Sequence, residues 1–450
     1  MRHLILLFFI FFGISCYASH THGGYINYTH LAGNTYEITV HLFQDLNSPA
    51  IQRQEIEINF GDNSGADTIF KTAQLPLNNS TFNIAEMVYT TQHTYAGFGR
   101  YTISVEDPNR PDNIINFASS INTPVYLRTS LEISPSVNLK NNSPVINSNI
   151  VFYSQSGKDL RFNLSAFDSD GDFLTYKLVR PRGTNGVAVS GYSFPSGVSV
   201  DQINGEFKWD NPPVNLGFHQ FTVEITECRN DRFIATTSID FMIYNSASNH
   251  TSRFISTDTL NRNETGNISY TIQPGDSLEL NINYESTDTF TLRLMDGTQR
   301  ASYNSNGDFK FISRPEDNRC APYLFIFEAD SRAVLEHQTV MIHVIDSNLI
   351  NCDTICGFNS LSIENRDLTR IRELNIHPNP FTNQTTINLP TNFRVHDFNL
   401  FNRLGQRIQV ETNITNSKIK ISGTNLQAGI YFYRIEGSNR QVYSGKLVAQ

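Results

Sequence analysis

The 450-residue chain is 39% hydrophobic and only 17% charged, with a net charge of −9 spread along its length. It has no basic run that could follow a phosphate backbone, which argues against a nucleic-acid partner. Aromatic residues reach 12%, with 32 Phe and 19 Tyr against 5 Met and 1 Trp; this composition favours strands over helices, and the length suits about three domains.

The chain opens with an apolar run from Leu4 to Phe12, followed by small residues at Gly13, Ser15, Cys16 and Ala18. This pattern predicts a secretory signal peptide over 1–18, cut after Ala18 or, alternatively, after Ser19. The run is shorter than the roughly 20 residues of a spanning helix. No later stretch is apolar enough, so no transmembrane helix is expected. Acylation of Cys16 is the competing reading of this end. If the mature chain begins at His20, its amine and imidazole could hold copper, as in oxidative polysaccharide-cleaving enzymes on Ig-like folds. That site would need a further His from a distant strand, and it is lost if Ser19 stays.

Downstream, apolar residues alternate with polar ones at Tyr36, Ile38, Val40 and Leu42, at Ile56, Ile58 and Phe60, and at Tyr101, Ile103 and Val105. The same period recurs at Phe221, Val223 and Ile225, and at Leu278, Leu280, Ile282 and Tyr284. Each run predicts a strand with one buried and one wet face. Turn residues such as Gly61-Asp62-Asn63, Asp170-Gly171-Asp172 and Pro274-Gly275-Asp276 separate them. No stretch has convincing helical periodicity.

In the first segment, 19–137, Ile58-Asn-Phe-Gly-Asp-Asn-Ser-Gly65 and His93-Thr-Tyr-Ala-Gly-Phe-Gly-Arg-Tyr-Thr-Ile-Ser-Val105 resemble the paired signatures of PKD domains. Ser19-His-Thr-His-Gly-Gly-Tyr-Ile-Asn-Tyr28 and Val105-Glu-Asp-Pro-Asn-Arg110 resemble a family of Bacteroidetes surface proteins labelled gliding-motility-associated. In the second segment, 146–246, Ala166-Phe-Asp-Ser-Asp-Gly-Asp-Phe-Leu-Thr-Tyr176 and Gly205-Glu-Phe-Lys-Trp209 resemble cadherin-like and related Ig-like repeats. Trp209 then reads as core, with a stacking platform for a sugar ring as the alternative. The third segment, 250–348, has generic strand patterning, and 351–371 is expected to be a linker.

Asp168, Asp170 and Asp172 place three carboxylates around one glycine, a turn that can supply several calcium ligands at once. A bare solvated Asp/Gly turn is the alternative. The resemblance to cadherin-like modules implies calcium near a module junction. Removal of Cys16 leaves Cys228, Cys320, Cys352 and Cys356, which allow two disulfides in any of three connectivities. No His or second Cys pair stands at zinc spacing. No catalytic residue is assigned: nucleophile-elbow, metalloprotease and phosphate-loop motifs are missing, and His93 reads as structural.

The tail, 372–450, carries Pro378-Asn379-Pro380, Leu404-Gly405-Gln406, Gly429-Ile430-Tyr431 and Gly445-Lys446-Leu447-Val448. In that order these motifs resemble the type A C-terminal sorting domain of the bacterial type IX secretion system. The resemblance implies a folded sandwich recognised by the outer-membrane translocon, after Sec-dependent passage through the periplasm. The expected fold is therefore all-β: serial Ig-like β-sandwich modules ending in a β-sandwich sorting domain. The expected function is that of a secreted or surface-held, non-catalytic binding or adhesion protein, with a glycan or a surface protein as partner. A carbohydrate-active enzyme and a purely structural spacer are the alternatives.

Overall fold

The computed structural model describes residues 20–77, 82–108, 110–134, 141–148, 150–229, 232–247, 251–255, 260–263, 267–296, 298, 300–331, 335–346, 354–355, 358–359, 374, 376–389, 394–402, 407–415, 417–424, 426–437 and 442–450. The expected signal peptide, Cys352, Cys356, most of the linker and Leu404-Gly405-Gln406 lie outside the described residues. Among the described residues the regular elements are strands and short 3-10 turns, with no α-helix. No helix there is long and apolar enough to cross a membrane. The chain forms two compact units, 1–362 and 363–450.

One eleven-stranded sheet runs through the first and second segments of the larger unit. Its order begins Thr21–Ala32, Thr35–Asp45, Ile84–Thr94, Ala66–Pro76, Glu55–Asn59, Gly99–Asp107 and Val125–Ile133. It continues into Arg232–Ser246, Gly217–Arg229 and Phe173–Val179, with Val151–Gln155 parallel to Arg232–Ser246. Arg232–Ser246 also meets the first strand, at Gly24 opposite Asp240, and the seventh, at Thr237 opposite Thr129. A strand of the second segment thus bridges both ends of the seven-strand array of the first.

The alternating residues form the cores. Tyr36, Ile38, Val40 and Leu42 are fully buried and pack with Ile58, Phe60, Ile103 and Val105. Phe152, Phe162, Phe207, Trp209, Phe221 and Phe241 make the aromatic centre of the second segment. The bridging strand fits against the first because Gly23 has no side chain. A Cβ there would sit 2.2 Å from the Asp240 carbonyl oxygen, and its φ of +149° also disfavours an L side chain.

The third segment has its own core, with Phe309, Phe311, Phe325 and Phe327 among its members, between a four-stranded and a three-stranded sheet. It also packs on the second segment. Leu335 enters that segment's core, and the Asn163 N–H donates to His337 Nδ1 at 2.9 Å. In the smaller unit two four-stranded sheets share one core that includes Ile387, Ile419, Ile421, Leu400, Tyr433 and Ile435.

Candidate functional site

The short strand Ala166–Phe167 delivers Asp168 into a tight turn, and the strand Phe173–Val179 leaves it just after Asp172. Asp168 Oδ1 closes the turn by accepting the N–H groups of Asp170 (2.9 Å) and Asp172 (3.0 Å). Gly171, at φ +80°, supplies the left-handed residue that the reversal needs. The neighbouring strand Gly217–Arg229 places Glu227 opposite Leu174. One carboxylate oxygen each from Asp168, Asp172 and Glu227 lie within 4.8 Å of one another, and all three residues are buried.

Asp170 does not join them. Its exposed carboxylate accepts the backbone N–H and the Nδ2 of Asn142 at 2.7 and 2.8 Å, and it meets Arg229 Nη2 at 3.2 Å. Arg229 grips Asp172 bidentately, Nε to Oδ1 at 2.6 Å and Nη2 to Oδ2 at 2.7 Å. Asn141 donates to Glu227 Oε2 at 2.6 Å and to the Tyr28 hydroxyl at 2.9 Å, and accepts from Arg229. Two oxygens remain: Asp168 Oδ2 and Glu227 Oε1 are buried without a hydrogen-bond partner.

Burial dominates the electrostatics. Burial, with the Asp172 charge behind it, pushes the Asp168 carboxyl up to about 7. Burial, then the charge of Asp168, drives Glu227 well above the carboxylate range. Burial also raises Asp172, against the opposing hydrogen bond and charge of Arg229. Beside Asp168 and Asp172 lies a cavity of about 40 Å³, walled in part by Tyr176, Ile203, Arg319 and Tyr323. Arg319 stacks on the Tyr323 ring at 3.9 Å and donates to the carbonyl oxygens of Ala321 and Pro322. Next to these residues, Cys228 and Cys320 are both in disulfides and pack in one small cluster with Phe173 and Ala321. The first segment (Tyr28), the stretch after it (Asn141, Asn142), the second segment and the third (Arg319, Tyr323) all meet here.

Sequence inspection of the Asp turn misses Glu227, although its position carries the signal. It continues the inward-facing series Phe221, Val223, Ile225, so an acid there faces the interior.

His20 and His22 lie at the start of the first strand, Thr21–Ala32. The His22 ring is buried edge-on to Phe218, 5.1 Å between centroids, and its Nδ1 lies 3.2 Å from the His20 carbonyl oxygen. Among the described residues His20 belongs to no group of three metal-binding side chains.

In the tail, the first motif docks on the last. Asn379 Nδ2 donates to the Lys446 carbonyl at 3.1 Å, and its Oδ1 accepts the Val448 N–H at 2.8 Å. Pro378 and Pro380 flank it on cis peptide bonds, and the Phe381 N–H bonds the Val448 carbonyl at 2.9 Å. Gly445 lies opposite Tyr433, and a Cβ there would fall 2.5 Å from the Tyr433 hydroxyl. Gly429 starts the strand Gly429–Gly437, and the Tyr431 hydroxyl donates to the Gln427 carbonyl at 2.9 Å.

Residues 375–450 match the family described as secretion system C-terminal sorting domain. The chain thus ends in a type IX sorting tail and is a secreted or cell-surface protein. No curated protein matches the chain. Among solved structures, it is similar to tandem Ig repeats of Dlar, at 12% identity and TM-score 0.23, covering 45% of this chain and 97% of that one. It is also similar to the N-terminal Ig1-2 module of the Drosophila receptor protein tyrosine phosphatase DLAR, at 16% identity and TM-score 0.22, covering 45% and 100%. A further likeness is to Sidekick-1 immunoglobulin domains 1–5, at 9% identity and TM-score 0.17, covering 95% and 80%. Nothing about function follows from likenesses this distant.

Proposed function

We propose that this is a non-catalytic binding or adhesion protein, exported by its sorting tail and presenting loops of its β-modules to a glycan or a surface protein. The sorting tail at 375–450 is the observation that carries this reading. The rest of the chain supports it. Packed sheets hold their connecting loops rigidly at the surface, which suits recognition. Among the described residues, the acidic cluster Asp168, Asp172 and Glu227 is buried, where a polymeric substrate has no access. In this reading the first segment is a PKD-like module and the second a cadherin-like one, in a Bacteroidetes surface protein.

Deleting 375–450 in the native host tests the export step. The truncated chain should accumulate in the periplasm and vanish from surface and medium; unchanged secretion would refute it. The secreted protein recovered from the medium is then applied to immobilised glycans and to host cells. Saturable binding without any change in the ligand's mass is the expected result, and cleavage of the ligand would overturn the non-catalytic assignment.

A further inference from the structure

We propose that Asp168, Asp172 and Glu227 hold a divalent cation, calcium, at the point where the three segments of the larger unit meet. The proposal starts from the two carboxylate oxygens left over when every hydrogen bond in the cluster is assigned. Asp168 Oδ2 and Glu227 Oε1 have no partner, on side chains only 4% and 0% exposed. A buried carboxylate oxygen with neither donor nor cation is costly, because water no longer solvates it. The Tyr176 hydroxyl, also buried and without a partner, lines the adjoining cavity with Asp168.

Geometry and charge agree on the occupant. The three carboxylates offer oxygens within 4.8 Å of one another, a spacing that a cation with oxygen ligands at about 2.3–2.6 Å can span. Magnesium, with bonds near 2.0–2.1 Å and a strict octahedron, suits such a spread less well. Arg229 is engaged with Asp172 and Asp170, and Arg319 lies near Asp168, so three clustered acids have few described cations to balance them. The donors offered are all oxygens, which favours a hard cation over zinc or copper. Asp170, the middle acid of the sequence motif, supports the site from outside by holding Asn142 and Arg229.

The cation would tie the turn at 168–172 to the strand carrying Glu227. Through Asn141 and Tyr28 it would reach the first segment, and through the Arg319 wall the third. The site does not depend on what the secreted protein binds.

The test uses the full secreted chain, stripped with EGTA and returned to calcium chloride or magnesium chloride. Native mass spectrometry should show one calcium per chain. Saturating calcium should raise the melting temperature by about 3 °C or more, with magnesium much less effective. Glu227→Gln and Asp168→Asn should each abolish the shift while melting in EGTA no lower than the parent, since each removes a buried charge. Asp170→Asn should keep the shift. Equal melting of the parent in calcium and EGTA with no bound ion would overturn the proposal, as would a full shift in Glu227→Gln. An equal response to magnesium would overturn calcium as the ion. Should the Glu227 and Asp168 variants fail to fold, ion content and melting of the parent and Asp170→Asn still decide.

Discussion

Arg110 and Asp240 form an ion pair 2.8 Å long with both side chains sealed from solvent, at 0% and 1% exposure. Arg110 follows the strand Gly99–Asp107 of the first segment, and Asp240 belongs to the strand that bridges it. The same guanidinium nitrogen donates to the Arg182 carbonyl at 2.9 Å, while Arg110 Nε and Nη1 are buried without partners. Burial raises the Asp240 carboxyl and Arg110 opposes that shift. Such a pair stabilises little relative to an apolar replacement, but breaking it strands a charge. Asp240→Ala should therefore cost about 3–5 kcal/mol, while Arg110→Met combined with Asp240→Leu should cost less than either single change. Urea midpoints of the purified chain measure this. A double variant as unstable as the singles would show that the pair contributes net stability.

In the sorting tail, Asn379 acts as a one-residue strand partner for the segment Lys446–Val448. Asn379→Ala removes both hydrogen bonds from a solvent-exposed seam and should destabilise the tail by about 1–2 kcal/mol. The yield of protein on the surface should fall while total synthesis holds. Unchanged melting of the variant would show that the flanking Phe381 bridge alone seats the motif.

Trp209 is the only tryptophan, and it is fully buried against Phe221 and His219. Its emission should be blue-shifted, resist acrylamide quenching and stay unmoved by added oligosaccharides. Trp209→Ala should cost about 3–5 kcal/mol by opening a cavity. A sugar-dependent change in emission would restore the stacking-platform alternative.

The strands were legible because their residues alternate strictly. Tyr36 to Leu42 and Phe221 to Ile225 face inward as the period demands. The tail was legible because its motifs are local and ordered. The bridging role of Arg232–Ser246 was not, because it rests on two residue pairs, Gly24 with Asp240 and Thr129 with Thr237, each far apart in the chain. His20-Thr-His-Gly-Gly-Tyr25 and Val105-Glu-Asp-Pro-Asn-Arg110 were recognisable as motifs, but their physical meaning appears only in three dimensions. Thr21, Gln44 and Arg53 converge on Asp107, Gly23 admits the bridging strand, and Arg110 finds Asp240. For the carboxylate cluster, sequence spacing alone grouped Asp170 with its neighbours, whereas the turn points it outward and brings Glu227 from another strand.

Two buried histidines make acid destabilising for the larger unit below pH 6.5. Burial lowers both His22 and His219 from 6.5 to about 4, their backbone hydrogen bonds opposing only in part. Both rings are almost wholly enclosed, at 4% and 1% exposure. Between pH 6.5 and 4 the unfolded chain protonates both rings and the folded chain does not, so their contribution falls as pH falls through this window, while the raised carboxyls of Asp168 and Asp240 act with the opposite sign. Each ring contributes up to about 3 kcal/mol to that loss. A second loss follows below pH 4.5. Burial would raise Glu328, but His337 and Arg293 overcome it and hold the carboxyl at about 2. Its stabilisation is present above pH 4.5 and disappears as pH drops toward 2. Thermal melts from pH 7.5 to 3 in EGTA should show both phases. His219→Gln should reduce the first by about half and leave the second. Equal pH dependence of the parent and His219→Gln between pH 6.5 and 4 would mean that the His219 ring keeps access to protons in the folded protein.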